Sequence, residues 1–212
     1  MYVPPLHRLD DAAAQHALIA ARALGLLITN GASGLIANPA PFLLDRPAGG
    51  QGVLRAHLAR ANPQWREHES SREALVVFQD VDVYVTPSWY ATKRETGEVV
   101  PTWNYSAVHV YGTLRAIEDR DWLRRLVGDL TERHEASRAA PWKVSDAPDE
   151  YIERMLRAIV GIEITITRIE GKAKVSQNRA AADRAGVVAG LREQGGDAAL
   201  RMADQIEQAT TP

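Results

Sequence analysis

Three segments of the sequence concentrate side chains that could bind a flat, polar, phosphorylated ring. They read TPSWYATK at 86–93, PTWNY at 101–105 and KVSQNR at 174–179. Aromatic faces pack against a heterocycle, while amides, hydroxyls and cations bind its polar edge and its phosphate. The alternative is that the tryptophans in these segments only pack in the core. The candidate ligand-binding residues are Ser88, Trp89, Lys93, Thr102, Trp103, Asn104, Lys174, Ser176, Gln177 and Asn178.

A fourth segment, HLARANPQW at 57–65, places an arginine and a helix start at the end of a predicted strand. Asn62 followed by Pro63 is typical of a helix N-terminus. The free backbone N–H groups of such a terminus bind phosphate, and Arg60 could add a bidentate contact. The alternative is that Asn62 only caps the helix and Arg60 is a surface charge. For His57 the alternative to a binding role is a hydrogen-bonded structural histidine.

No signature of a particular enzyme is present. The chain has no cysteine, which excludes disulfides and thiolate metal or redox sites. GASG at 31–34 is not the nucleophile elbow G-x-S-x-G, and GGQG at 49–52 does not fit the dinucleotide fingerprint. His134 and Glu135 lack the second histidine of a zinc protease. We therefore expect no metal site and assign no catalytic residue.

Composition indicates an ordinary globular protein. The chain has 212 residues, 45% of them hydrophobic and 25% charged, and a formal net charge of −2. That charge does not favour a nucleic-acid or membrane partner, since both select for a basic excess. No apolar run reaches the roughly 18 residues that span a bilayer. The first eleven residues contain two prolines and no apolar segment, so we expect no signal peptide and a cytoplasmic location.

The elements that must position these residues are mostly strands joined by short connections. We predict strands at 26–29, 35–45, 53–59, 103–117 and 161–171, a hairpin of 74–79 with 81–86 around Asp80, and helices at 9–25, 63–72 and from Arg179 onward. Asp10 or Asp11 can cap the first helix, and the last helical segment should break at Gly195 and Gly196. Alternation puts Val81, Val83 and Val85 on one face of their strand and Asp82 and Tyr84 on the other, and does the same for Ile162, Ile164 and Ile166 against their polar neighbours. Two amphipathic helices are predicted around 122–130 and 151–160. The prolines in 35–45 favour an edge or bulged strand. The fold class is therefore mainly β with peripheral helices, a largely antiparallel barrel with C-terminal helices.

Together these segments resemble one family. MYVPP, HLARANPQW, ALVVF with YVTPSWY, VPTWNY with VHVYG, and KVSQNR are similar to the PaiB family, whose members are described as FMN-binding negative transcriptional regulators. The matching segments run in order from Met1 to about Leu191. The resemblance implies an FMN-binding split β-barrel similar to pyridoxamine 5′-phosphate oxidases, with residues 1–178 as the flavin domain and 179–212 as a helical extension. It also implies a homodimer with FMN in a cleft at the subunit interface.

The resemblance implies a place for each candidate residue. The strand 35–42, which contains Asn38, would lie along the flavin ring. The segment from His57 through Arg60 to Asn62 would approach the phosphate. The loop 88–93, the PTWNY segment and residues 174–178 would complete the cleft, partly from the second subunit. The Arg/Ser-Arg-Lys phosphate pattern of the oxidases is absent, and ARANPQ stands in its place.

Three functions stay open at this point. The first is negative transcriptional regulation, direct or through a partner. Direct DNA binding is doubtful because the second helix of the helix–turn–helix candidate 179–207 has one arginine, Arg201, against three acidic residues. The second is a flavin-dependent oxidoreductase or flavin reductase, in which FMN carries the hydride chemistry. The third is a dimeric ligand-binding protein whose flavin site has decayed.

Overall fold

The structure is a computed structural model that describes residues 1–32, 34–46 and 50–209. The predicted loop 46–52 and turn 30–34 therefore lie partly outside the described residues. The seven strands are β1 Leu24–Gly31, β2 Gly34–Pro41, β3 Leu43–Asp45, β4 Val53–Ala59, β5 Ala74–Val85, β6 Thr102–Ile117 and β7 Ile159–Lys174. The α-helices are α1 Ala12–Ala21, α2 Gln64–Glu67, α3 Thr92–Glu95, α4 Arg120–Glu135, α5 Asp149–Arg157, α6 Ala181–Gln194 and α7 Asp197–Gln208. No helix among the described residues is long and apolar enough to cross a membrane.

The strands form one sheet in the order β2-β1-β5-β6-β7-β4-β3. The pairs β1–β2, β1–β5, β3–β4 and β4–β7 are antiparallel. β2 also contacts β4, the sixth strand in this order, so the sheet curls back on itself as a barrel does. This confirms the predicted fold class, mainly β with C-terminal helices.

The chain divides into two compact units. Unit 1 contains Met1–Leu18, Gln79–Val108 and the described residues from Glu170 onward, and unit 2 contains Ile19–Phe78 and His109–Ile169. The core of unit 1 joins Val81, Val83 and Val85 of β5 to the buried faces of α6 and α7. In unit 2, buried leucines of α4 and α5 form two smaller clusters. Each unit is built from several separate segments of the chain, so the units do not test a single boundary along the sequence. The predicted domain boundary between residues 178 and 179 stays a prediction.

Local patterns predicted several elements well. β4 has the predicted bounds, and Ile162, Ile164 and Ile166 of β7 are all buried as their alternation requires. The side chain of Asp11 accepts hydrogen bonds from the backbone N–H groups of Ala13 and Ala14, so it caps α1 as expected. The helices α6 and α7 separate at the two predicted glycines, 195 and 196.

Three predictions of local structure were wrong. The hairpin around Asp80 is instead the continuous strand β5, and Asp80 accepts hydrogen bonds from Arg201 at 2.8 Å and Gln205 at 2.6 Å. The strand predicted at 35–45 breaks at Phe42. The buried ring of Phe42 packs edge to face with the ring of Phe78, with ring centroids 5.9 Å apart. β2 and β3 then lie at opposite ends of the sheet, so the predicted edge position of β2 is confirmed.

The third wrong prediction is the helix at 63–72, which has only four residues. It stops because the following residues bind β1 instead of continuing the helix. The backbone N–H of Glu69 donates to the carbonyl of Asn30 at 2.9 Å, and Gly31 lies against the backbone of Glu67. A helix of one turn provides little of the dipole that a phosphate site would use.

Candidate functional site

Two strands and the segment after β7 form a polar group in unit 1 that we name the Lys174 cluster: Thr102, Asn104, Lys174 and Ser176. Asn104 is fully buried on β6, and its Nδ2 donates to Ser176 Oγ at 2.8 Å. Asn104 Oδ1 is also buried and has no hydrogen-bond partner among the described residues. A buried acceptor without a donor costs about 1–3 kcal/mol, so a donor bound at this position would stabilise the folded chain.

Lys174 supplies the positive charge of this cluster. Its Nζ donates to Thr102 Oγ1 and to the main-chain carbonyl of Trp103, the latter at 2.9 Å. Neither partner is charged, and no carboxylate in the described chain pairs with this half-buried ammonium. A lysine fixed by neutral oxygens keeps its full charge available for an anion or a carbonyl group.

Gln177 shapes the turn that presents Ser176. Its side chain donates to the carbonyl of Ala173 and accepts from the backbone N–H of Val175 at 2.8 Å. Ser176 has a φ of 62°, in the left-handed region that residues other than glycine rarely adopt. Such a conformation persists only where surrounding contacts require it. Asn178, the next predicted residue, is exposed.

The predicted loop residues Ser88, Trp89 and Lys93 are also in unit 1. Lys93 Nζ donates to Ser88 Oγ at 3.2 Å, and both side chains are exposed. Trp89 instead packs on α6, so closely that a Cβ at Gly190 would lie 2.3 Å from its Nε1. The loop is held there because Asp183 accepts hydrogen bonds from the N–H and the hydroxyl of Thr92, both at 2.9 Å.

Four predicted residues lie in unit 2, where two of them meet at Gln64. Asn38 Nδ2 donates to Gln64 Oε1 at 2.9 Å, and Asn62 Oδ1 accepts from the backbone N–H of Gln64 at 3.0 Å. Gln64 is fully buried, and its Nε2 bonds to oxygens of Leu27, Thr29 and Ile36. The sequence analysis missed Gln64, because a glutamine in a predicted helix gives no sign of burial.

Arg60 and His57, the other two predicted residues of unit 2, are engaged differently. Every guanidinium nitrogen of Arg60 donates to a protein oxygen: Nε to the carbonyl of Arg157 at 2.9 Å, Nη2 to that of Ile159 at 3.0 Å, and Nη1 to Glu118. His57 Nδ1 is buried without a partner among the described residues. Burial lowers the pKa of His57 from its ordinary value.

Unit 1 also contains a pocket of about 430 Å³ that the sequence analysis did not predict. We name it the aromatic pocket after Tyr84, Trp89 and Trp103, and its wall is completed by Asp82, Asp197 and the turn between α6 and α7. The rings of Tyr84 and Trp103 meet edge to face, with centroids 5.9 Å apart. Alternation along β5 placed Asp82 and Tyr84 on its open face, but no local signal brings that face to the α6–α7 turn.

Similarity to known proteins shows the family of this chain. A family model described as "Putative FMN-binding domain" matches residues 1–168. The protein of Bacillus subtilis named Protease synthase and sporulation protein PAI 2 is 30% identical over 98% of this chain and 97% of its own length. The chain belongs to the PaiB family. FMN is therefore the cofactor that family membership assigns to it.

Two further similarities concern the sequence and the fold. An uncharacterized protein of Emericella nidulans is 36% identical over 98% of this chain and 97% of its own length. The solved structure of the flavocytochrome Anf3 from Azotobacter vinelandii superposes with a TM-score of 0.54 at 14% identity, covering 79% of this chain and 69% of that one. At that identity the superposition supports the split-barrel fold alone.

Proposed function

We propose that this PaiB-family protein binds FMN through the Lys174 cluster and acts as a negative regulator of transcription. The cofactor proposal rests on two polar groups of this cluster, each of which could bind a ligand atom of complementary chemistry. Within the part of the chain that the structure describes, Asn104 Oδ1 is a buried acceptor without a donor, and no carboxylate pairs with Lys174. A ligand that offers both an N–H group and an acceptor oxygen would satisfy both.

FMN has the groups that this cluster lacks. Its ring carries one N–H between two carbonyl groups, and its side chain ends in a phosphate. Asn104 would accept a hydrogen bond from the N–H, while Lys174 would donate to a carbonyl or phosphate oxygen. When bound, FMN supplies hydride and electron transfer, and the protein positions and tunes it. The flavin in the name of the Azotobacter flavocytochrome is consistent with this fold holding such a ring.

The test is reconstitution with FMN. The purified protein is incubated with excess FMN and desalted, its visible spectrum is recorded, and affinity is measured by quenching of flavin fluorescence. We expect retained flavin absorbance and saturable quenching. A colourless protein without measurable affinity would contradict the cofactor proposal while leaving the fold in place.

The regulatory part of the proposal does not use α7 as a DNA-recognition helix. Arg201, the arginine of α7, is bound to Asp80 at 2.8 Å. Arg192 of α6 pairs with Asp204 and Glu207 on α7, at 3.1 and 2.8 Å. Cations that are already paired with carboxylates offer little to DNA phosphates. We therefore propose that regulation runs through a partner protein or a sensed metabolite.

A gel-shift assay tests this point. Labelled genomic fragments are mixed with the protein at low salt, where any phosphate contacts would be strongest. We expect no shift from the purified protein alone. A shift that disappears in the Arg201→Gln variant would overturn the proposed indirect mechanism, and the circular dichroism of that variant would confirm that it is folded.

A second candidate function is flavin-dependent oxidoreduction. It is favoured by the unpaired charge of Lys174, because a cation beside a flavin stabilises the negative charge gained on reduction. The test is oxidation of reduced nicotinamide by the FMN-loaded protein with common electron acceptors. Turnover that scales with bound flavin would support an enzyme, and its absence would favour the regulatory function.

The homodimer implied by the resemblance is also part of the proposal. On the outer face of the β1–β2 hairpin, Leu24, Leu26 and Leu35 are exposed. Register pairs Leu24 with Pro41 and Leu26 with Pro39, which extends the apolar surface across both strands. A second copy of the chain would bury it. Light scattering should detect a dimer that Leu26→Glu weakens and Leu200→Glu, an exposed leucine of α7, does not.

A further inference from the structure

The aromatic pocket has a charge that differs from that of the Lys174 cluster. Its wall contains the carboxylates of Asp82 and Asp197, and none of its described lining residues is a lysine or an arginine. Arg201, one turn further along α7, pairs with Asp80 at 2.8 Å and with Asp197 at 3.9 Å, so it offsets part of the charge of Asp197. Among the described residues no cation pairs with Asp82. The pocket is therefore lined by negative charge.

The positive end of the α7 dipole offsets part of this negative charge but does not reverse its sign. α7 begins at Asp197, so its free backbone N–H groups lie at the pocket wall. A helix N-terminus corresponds to about half a positive elementary charge, and its effect falls off within the first turn. The carboxylate of Asp82 carries about twice that magnitude with the opposite sign, and Asp197 adds the part of its charge that Arg201 does not offset. A phosphate or carboxylate ligand is disfavoured, and a cation is favoured.

The rings of the pocket add a second preference for cations. Tyr84 and Trp103 are 47% and 53% exposed, although large aromatic side chains usually bury most of their surface. Their planes meet at 69°, so the two rings have different orientations, and both line the pocket together with Trp89. Aromatic faces attract organic cations through the ring quadrupole, most strongly where the cation sheds water.

We propose that the aromatic pocket binds a small organic ammonium ion. A volume of about 430 Å³ suits such a ligand, since small-molecule sites range over roughly 300–1,000 Å³. The aromatic rings hold the alkylated nitrogen, and Asp82 is its main counter-charge, with a smaller contribution from Asp197. This site is distinct from the proposed flavin contacts, because Trp103 gives its side chain to the pocket and only its main-chain carbonyl to Lys174.

The test compares cations with a neutral molecule of the same shape. Choline and benzyltrimethylammonium are titrated into the protein without added FMN, by isothermal calorimetry, alongside 3,3-dimethylbutan-1-ol, which replaces the charged nitrogen of choline with carbon. We expect at least one cation to bind about tenfold or more tightly than the alcohol, because half-exposed cation–π contacts to more than one ring act together with charge pairing to Asp82. Equal affinities, or no binding by either cation, would overturn the proposal.

Variants locate the site. Trp103→Leu and Asp82→Asn should each weaken cation binding by about fivefold or more. Trp142→Leu removes a similarly exposed tryptophan from unit 2 and should leave affinity unchanged. If Trp103→Leu does not fold, the indole N–H resonances of the natural protein replace it. Shifts of the Trp89 and Trp103 signals support the pocket, and shifts confined to the other tryptophans refute it.

Discussion

Asn104 and Ser176 are 72 residues apart in the sequence and hold each other through a buried hydrogen bond of 2.8 Å. Asn104 lies on β6, and Ser176 lies two residues beyond β7 in a left-handed conformation. The bond fixes the segment after β7 against β6. It thereby fixes Lys174 at the end of β7 relative to Thr102 at the start of β6, so one contact orders the whole Lys174 cluster.

Replacing Asn104 with leucine, which has a similar volume, should weaken both folding and FMN binding. The change leaves the Ser176 hydroxyl buried without its partner, which costs about 1–3 kcal/mol in the free energy of unfolding. It also removes the unpaired Oδ1, so FMN affinity should fall by about tenfold or more. Urea denaturation and flavin-fluorescence titration measure the two effects.

Ser106→Ala is the matched control for that variant. Ser106 is buried two residues further along β6, and its hydroxyl donates to Gln205 Oε1 at 2.9 Å. Its loss should lower stability without changing FMN affinity, because the bond lies outside the Lys174 cluster. If both variants lost FMN equally, the role of Asn104 would be only structural.

The charge of Lys174 should matter more than its length. Lys174→Met keeps the packing of the side-chain stem but removes a charged donor, and FMN affinity should fall by about 10- to 100-fold. Lys174→Arg keeps the charge and should retain most of the affinity. Measuring the flavin midpoint potential of both variants adds an independent readout, since loss of a nearby cation should make the bound flavin harder to reduce. Equal affinities in the two variants would rule out a charge contribution.

Gly190 should tolerate no side chain, because Trp89 occupies the space beside it. A Cβ there would lie 2.3 Å from Trp89 Nε1, so Gly190→Ala must displace the indole at a cost of about 1–3 kcal/mol. Gly128 in α4 is the control, since no atom lies within 4 Å of its Cβ position. Gly128→Ala should stabilise the protein by up to about 1 kcal/mol by helix propensity. Chemical denaturation of both variants checks the difference, and a stabilising Gly190→Ala would contradict the packing.

Stability should fall as the pH drops below the ordinary histidine pKa of 6.5. Burial lowers the pKa of His57 and of His68, so below pH 6.5 the unfolded chain binds protons that the folded chain does not. The free energy of unfolding then decreases as pH falls through this window. His57→Gln should flatten the dependence between about pH 7 and 5.5, leaving the part due to His68. An unchanged slope in His57→Gln would refute the assignment.

Sequence patterns predicted elements wherever the deciding interaction is local. The alternation of Ile162, Ile164 and Ile166 predicted β7, and the pair of glycines at 195 and 196 predicted the break between α6 and α7. The same reasoning was wrong at Asp80, which looked like a turn residue. Its carboxylate is instead bound by Arg201 and Gln205, more than 100 positions away, and these bonds support a continuous strand.

The fold class, the family resemblance and the residue types available for a flavin site could all be predicted from the sequence, because these depend on short periodic patterns and contiguous segments. The folded chain was needed to show what those residues contact. Asn38 and Asn62 bond to the buried Gln64, Arg60 donates to main-chain carbonyls, and no carboxylate among the described residues pairs with Lys174. These contacts depend on partners that are distant in sequence. A buried polar group without a partner costs free energy, so such pairings stabilise the fold, but no local sequence pattern predicts them.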